Sequence, residues 1–183
     1  MNEETQKAIA RYLPNKLAQD NFFKLTKGLQ SSDLPTALSV YDKLKKMDAD
    51  DKVWAALGLV DRFFLLAFTL GRKDMVHPWL YARCREVEKN PDDHLDLWAR
   101  GHYKSTIITY AGTIQAILLN PEITIGIFSH TRPIAKSFLR QIKRELEGSE
   151  KLKQLYPDTC WVNEKREAPK WSEDDGIVVR RES

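Results

Sequence analysis

The sequence has few cysteines, a small net charge and no apolar signal segment at its start, and these are features that often identify the class of a protein. Its two cysteines, Cys84 and Cys160, lie far apart without metal-ligand spacing, so they indicate neither a disulfide framework nor a zinc site and fit a reducing cytosol. We expect both thiols to be buried. The formal net charge of +3 is too small to indicate a nucleic-acid partner by itself. The opening segment MNEETQKAIARYLPNK has no apolar core of the signal-peptide type, and we predict a soluble intracellular protein.

A long uninterrupted apolar run is also missing. Residues 53–70 are the candidate, but Gly58, Asp61 and Arg62 interrupt them. Their helical spacing predicts a buried helix rather than a membrane span, with Gly71 as its C-cap. With 42% apolar residues in a chain of 183, the sequence can bury the core of one ordinary domain, with or without a helical extension.

The N-terminal region is predicted to be helical throughout. Residues 36–47 repeat apolar side chains at intervals of three and four, and either Asp33 or Ser32 is placed to cap the helix. The repeating positions are Ala37, Leu38, Tyr41 and Leu44. We therefore predict an all-α N-terminal extension over residues 1–74.

The pattern changes to alternating strands and helices from residue 75 onward. Buried strands that alternate with helices are typical of an α/β protein with a parallel sheet. Such a sheet is incomplete with two clear strands and a third only begun, so we expect this chain to be the N-terminal part of a longer protein. The predicted elements are a helix from Pro78 to Asn90-Pro91, a strand at Leu95–Trp98, a helix at Lys104–Leu119, a strand at Ile123–Phe128, a helix over residues 132–148, and a strand from Ile177.

A basic turn, WARGHYKST at residues 98–106, lies between the first of these strands and its helix. Phosphate-binding loops occupy the same place, because backbone N–H groups and a helix N-terminus converge there on an anion. A lysine adds charge at the β and γ phosphates, and the next hydroxyl binds magnesium. Lys104, Ser105 and Thr106 supply these groups.

The same turn departs from the usual pattern G-x-x-x-x-G-K-[ST]. Trp98 and Tyr103 stand where the two glycines belong, and Gly101 is the one glycine in the turn. We expect the backbone at Tyr103 to approach a phosphate less closely than glycine would. The alternative interpretation is that the basic residues of the turn are solvated charges on an ordinary connection.

The turn resembles the deviant Walker A motif of the large terminase subunits of tailed bacteriophages, the ATPases that pump DNA into the procapsid. HPWLYARCREVE resembles the adenine-binding segment ahead of that motif, although Leu80 stands where a glutamine is expected. ITIGIFSHTRPIAKSFLRQIKRELEGSEKLKQLYPD resembles the second strand and following helix of the ATPase core, and WSEDDGIVVRRES resembles the segment after them. The resemblance covers residues 75–183 and implies the first part of a P-loop parallel sheet of the ASCE type with flanking helices.

The resemblance also implies a nucleotide site that uses ATP and Mg²⁺. Lys104 binds the β and γ phosphates, Ser105 or Thr106 binds the magnesium, and Arg100 helps to stabilise the phosphates. Backbone amides from Gly101 to Lys104 form the cradle. The full implied set is Arg100, Gly101, His102, Tyr103, Lys104, Ser105 and Thr106.

Three further residues receive roles that have alternatives. Trp79 either stacks near the adenine or is a core tryptophan. Ser129 and His130, at the C-terminal end of the second predicted strand, either couple the nucleotide to DNA or are an ordinary loop pair.

The family's catalytic carboxylates have no counterpart in the sequence. Asp174-Asp175 precedes the strand at Ile177 instead of following one, and no nuclease cluster is present. We therefore expect a fragment of a terminase large subunit that is inactive alone. The whole motor would translocate and cleave double-stranded viral DNA during genome packaging in the host cytoplasm. Its partners would be the portal protein, the small terminase subunit and further copies in a ring. The alternatives are a helicase-like ATPase fragment and a non-catalytic binding or assembly protein.

A basic helix face in the C-terminal half has two interpretations. It either contacts DNA phosphates or is a solvated face that Glu145 and Glu147 balance. Its members are Lys136, Arg140, Lys143 and Arg144.

Overall fold

The described chain is mainly helical and divides into two compact units, residues 1–99 and 100–183. The computed structural model describes residues 3–46, 49–89 and 95–181. Within these ranges, none of the helices combines the length and the apolar character that crossing a bilayer requires. The elements are α1 (Glu3–Tyr12), α2 (Lys16–Gln30), α3 (Leu34–Lys46), α4 (Asp51–Val60), α5 (Arg62–Phe64), a π-helical turn (Leu65–Thr69), a 3-10 turn (Lys73–Met75), α6 (Pro78–Lys89), a second π-helical turn (Thr106–Ala111), α7 (Gly112–Leu119), α8 (Arg132–Gly148), α9 (Glu150–Leu155), α10 (Glu164–Glu167), β1 (Trp171–Ser172) and β2 (Gly176–Ile177).

The helices of the first unit begin where the sequence provides caps. The side chain of Asn15 accepts hydrogen bonds from the backbone N–H groups of Leu17 and Ala18 at the start of α2. Asp33 accepts from the N–H of Thr36, which confirms it as the predicted cap of α3. The helix predicted for residues 36–47 is thereby confirmed as α3 up to Lys46, and Met47 lies outside the described residues. The predicted end of α6 at Asn90-Pro91 lies outside the described residues.

The apolar stretch from residue 53 to 70 is buried as predicted, but it is not one helix. Asp61 breaks it between α4 and α5, because the side chain of Asp61 accepts a hydrogen bond from the N–H of Phe64 at 2.8 Å and starts a new helix. The apolar stretch then ends in a π-helical turn, and Gly71 follows it with a φ of +66°. That left-handed residue confirms the predicted C-cap.

Asp61 is also the centre of a buried polar network in the first unit. Its carboxylate accepts a 2.5 Å hydrogen bond from the hydroxyl of Tyr41 in α3 and forms an ion pair with Arg85 in α6. Burial, followed by the Asp61 charge, raises the pKa of Tyr41, so the hydroxyl remains a donor. One carboxylate therefore joins α3, α5 and α6.

Glu88 extends this network by one turn of α6. Its carboxylate lies 3.1 Å from the guanidinium of Arg85 and accepts a 2.5 Å hydrogen bond from the N–H of Arg62. Burial nevertheless raises the pKa of Glu88 to about 7, because the loss of hydration outweighs the attraction of Arg85.

Both cysteines are buried, as expected. Burial raises the pKa of the Cys84 thiol and of the Cys160 thiol to about 12. Neither thiol is therefore ionised near neutral pH, which agrees with a packing role.

The second unit is built around α8, whose apolar face buries Ile142 and Leu146. The hydroxyl of Tyr110, in the π-helical turn that precedes α7, donates a 2.6 Å hydrogen bond to Glu145 of α8. The indole N–H of Trp171 in β1 donates a 2.7 Å hydrogen bond to Glu147. These bonds attach the neighbouring helix and the C-terminal hairpin to α8.

The prediction of an incomplete parallel P-loop sheet is wrong. The described part of the chain has one sheet, the antiparallel pair β1–β2, in which Trp171 faces Ile177. Leu95–Trp98 forms no strand, and Leu95 and Leu97 are each 82% exposed. Ile123–Phe128 has no strand partner. β-branched sequence favours extended backbone, but a strand also requires a neighbour to accept its hydrogen bonds, and α/β patterning cannot supply one.

Removing the central carboxylate should destabilise the first unit strongly. We expect Asp61→Ala to lower the free energy of unfolding by about 3–5 kcal/mol, because the buried Arg85 keeps Glu88 alone as a carboxylate partner among the described residues and the buried Tyr41 hydroxyl loses its acceptor. Urea denaturation followed by circular dichroism measures the loss. Asp20→Ala, which removes an exposed pair with Lys16, is the control and should change stability by less than about 1 kcal/mol. Similar losses in both variants would contradict the role of Asp61.

The raised pKa of Glu88 should make stability fall with rising pH. Between its ordinary pKa of 4.5 and about 7, the folded state holds a proton that the unfolded state has released. The stability from Glu88 is therefore full below about pH 4.5 and is lost as pH rises through about 7, by on the order of 3 kcal/mol. Glu88→Gln removes the titration, so the slope of stability against pH should flatten over this window. An unchanged slope in the variant would contradict the assignment.

Candidate functional site

The predicted phosphate loop lies at the start of the second unit and leads directly into a helix. The first helical hydrogen bond runs from the N–H of Ile107 to the carbonyl oxygen of Tyr103, at 2.9 Å. Lys104 and Ser105 therefore occupy the first turn, and the helix continues through the π-helical turn into α7. The N–H groups of a first turn have no partners inside the helix, and the helix dipole favours an anion beside them.

The loop has an unusual backbone. Gly101 has a φ of +83° and Tyr103 a φ of +59°, and Tyr103 is the one non-glycine residue with positive φ among the described residues. A left-handed residue beside a right-handed helical one, as Tyr103 is beside Lys104, is an arrangement that turns neighbouring N–H groups toward a common point. The backbone of Tyr103 thus adopts a conformation that glycine favours, at the position where the motif has glycine.

The loop side chains face solvent and are mostly basic. Arg100, His102, Lys104 and Ser105 are exposed, while Thr106 is half-buried. The Nδ1 atom of His102 lies 3.1 Å from the carbonyl oxygen of Arg100, so the loop is partly held by its own atoms. Two basic side chains, an imidazole and a hydroxyl therefore lie at one helix start.

Space for an approaching anion is open at the glycine of the loop. A Cβ atom built on Gly101 would meet no atom within 4 Å. Tyr103 is 36% exposed, so its ring is partly withdrawn from solvent. The space on the Cβ side of Gly101 is therefore open.

Trp79 lies in the first unit and is not a core side chain. It is 38% exposed, packs edge to face on Trp98 at 5.7 Å, and carries the guanidinium of Arg83 over its ring at 5.6 Å. A role in stacking on adenine stays a prediction, and one ring face is already covered by an arginine.

Ser129 and His130 are exposed and stand just before α8. Their predicted coupling role assumed the C-terminal edge of a parallel sheet, which the described residues do not form. Among these residues, no hydrogen bond joins Ser129 or His130 to the loop.

The basic face of α8 is paired with carboxylates that the sequence analysis did not identify. Arg140 binds Glu173 at 2.6 Å, and Lys136 forms an ion pair with Asp174. Hydrogen bonds from Arg140 and Lys136 lower the pKa values of Glu173 and Asp174, respectively. The acidic partners come from the hairpin turn about thirty residues later, so the helical spacing carried no signal of them. Lys143 pairs with Glu147, as the balanced-face interpretation proposed.

Comparisons with known proteins do not add to this geometry. No protein-family model, curated protein or solved structure matches the chain.

The left-handed backbone at residue 103 can be tested by a pair of variants. Tyr103→Gly and Tyr103→Ala both remove the ring and differ by one Cβ atom. At an ordinary φ, alanine is the more stable by about 0.4–1 kcal/mol. At a φ of +59° we expect the glycine variant to be the more stable, by about 1 kcal/mol, in urea denaturation.

The same pair of substitutions at His102 is the control, because His102 has no positive φ. There the alanine variant should be the more stable. A more stable alanine variant at both positions would show that Tyr103 does not hold the left-handed conformation.

Proposed function

We propose that the loop of residues 100–106 binds the phosphates of ATP together with Mg²⁺. The observation that carries the proposal is the left-handed backbone at Gly101 and Tyr103 immediately before the helix that starts at Lys104. This arrangement directs backbone N–H groups and the positive end of a helix toward one point. The proposal rests on the loop alone and not on a parallel sheet.

The side chains of the loop have the chemistry that a triphosphate requires. On this proposal, Lys104 contributes a positive charge at the β and γ phosphates, and Arg100 adds a second one. Ser105, in the first turn, offers a hydroxyl for the magnesium that accompanies ATP. Bound Mg²⁺ supplies neutralisation of phosphate charge, while the residues of this chain hold and orient the nucleotide.

We infer further that the chain is part of a DNA-packaging motor of the terminase type. The support is the resemblance of residues 75–183 to the large terminase subunit, with the loop at the corresponding place. On this proposal, ATP binding at the loop serves the movement of double-stranded viral DNA, and the portal protein, the small terminase subunit and further copies of the chain are partners. Hydrolysis requires a carboxylate to organise the magnesium, and the sequence offers none in the usual position.

Calorimetry with a non-hydrolysable ATP analogue and Mg²⁺ tests the loop directly. We expect saturable binding to the wild-type chain and a loss of about tenfold or more in Lys104→Ala, since a charged contact to phosphate is removed. Lys170→Ala is the matched control, because Lys170 is an exposed lysine of the same unit outside the loop. Its affinity should equal that of the wild type.

Two results would contradict the proposal. One is the absence of binding to a folded wild-type chain. The other is equal affinity in Lys104→Ala and Lys170→Ala, which would make the loop a solvated connection.

A further inference from the structure

The second unit contains an apolar cavity of about 320 Å³ that the proposed ATP site does not use. One wall comes from α7 and α8, including Ile117 and Leu139, and another from the chain around Ile177 and Val179. A third wall is the segment of residues 123–129, which we call the edge segment.

The edge segment is extended, although it belongs to no sheet. Ile123, Ile125 and Ile127 line the cavity, whereas the residues between them do not. A period of two is the signature of extended backbone. Phe128 is 94% exposed on the other side of the segment.

The backbone of the edge segment is unpaired. Among the described residues, no backbone hydrogen bond involves residues 124–129, while Ile123 donates to Asn120 at 3.1 Å. An extended chain with unpaired N–H and C=O groups and one apolar face is a template for another strand.

The cavity wall around Val179 has backbone hydrogen bonds along one of its edges. The N–H groups of Val178 and Arg180 donate to Lys170 and Thr159, at 2.9 and 3.0 Å. Along an extended chain, neighbouring residues direct their backbone groups to opposite edges, so Val179 presents its groups to the edge that these bonds leave open. Both extended walls therefore have backbone N–H and C=O groups that can form hydrogen bonds with another strand.

The charges at the cavity are mainly positive. Arg132, Lys136 and Arg181 line it, against Glu173 alone. Each of these cations already has a carboxylate partner, because Arg132 and Lys136 share Asp174 and Arg181 contacts Glu122. The pairs of Arg132 and Arg181 are exposed, so a new partner can exchange them at little cost. The balance of the lining residues favours an occupant with an acidic end.

We propose that the edge segment and the adjoining cavity bind an extended peptide strand with alternating apolar side chains and an acidic end. Backbone hydrogen bonds to residues 123–129 place every second side chain of the strand over the cavity, beside the three isoleucines. Neither Arg100 nor Lys104 takes part, so this proposal stands or falls separately from ATP binding.

Fluorescence anisotropy with a labelled peptide, EEVTVTVTVG, tests the proposal on the wild-type chain. We expect saturable binding that weakens about tenfold or more when backbone N-methyl groups are placed on one edge of the peptide, on its valines or on its threonines. The peptide KKVTVTVTVG should bind more weakly than the acidic one. These comparisons use only the wild-type protein and do not depend on the folding of a variant.

A pair of protein variants locates the site. Ile125→Asp puts a charge into the cavity wall and should lose peptide binding. Val162→Asp places the same charge at another exposed apolar position of the unit, 79% exposed and outside the cavity, and should keep it. Circular dichroism shows whether each variant is folded.

Three outcomes would overturn the proposal. No binding of the acidic peptide would remove it outright. Binding that is indifferent to both N-methylated peptides would mean that the cavity takes apolar groups without strand pairing. A wild-type chain that sediments as a dimer, and as a monomer after Ile125→Asp, would make a second copy the occupant.

Discussion

The carboxylate of Asp61 is the interaction on which the first unit depends. It ends one helix and starts the next, and it also receives the hydroxyl of Tyr41 and the guanidinium of Arg85. A buried carboxylate is unfavourable unless all of its hydrogen-bond positions are used, so the three helices are required to meet in one arrangement. Glu88 lies beside Arg85 and is buried, so its charge is poorly hydrated. The position of one side chain thus fixes the helices and makes the unit sensitive to pH.

The second unit is organised differently. Its central helix has many side-chain partners, whereas an extended segment beside it has few backbone hydrogen bonds. α8 is fastened by Tyr110, by Trp171 and by a series of ion pairs. The edge segment beside it has an apolar face, and among the described residues the backbone of its residues 124–129 has no partner. The candidate phosphate loop precedes the helix that begins at Lys104, and its left-handed residues are Gly101 and Tyr103.

The sequence was a good guide where structure is decided locally. Apolar spacing and caps located α3, α6 and α8, and the left-handed Gly71 ends its helix as predicted. The prediction of a parallel sheet was wrong because strand pairing joins residues that are distant in sequence. At Tyr103 the sequence predicted a poorer phosphate loop, yet the backbone adopts the conformation of the missing glycine. That conformation costs roughly 1–2 kcal/mol, and only the surrounding fold decides whether the cost is met.

The attachment of the β1–β2 hairpin to α8 has a consequence for the cavity that lies beside it. The ion pairs of Arg140 with Glu173 and of Lys136 with Asp174 are reached by solvent, so dissolved ions screen them. The screening length falls from about 10 Å at 0.1 M salt to about 3 Å at 1 M. The hydrogen bond from Trp171 and the backbone bonds of the hairpin are neutral or partly buried and are screened less. One wall of the cavity is therefore held in part by ion pairs whose strength depends on the ionic strength of the solution.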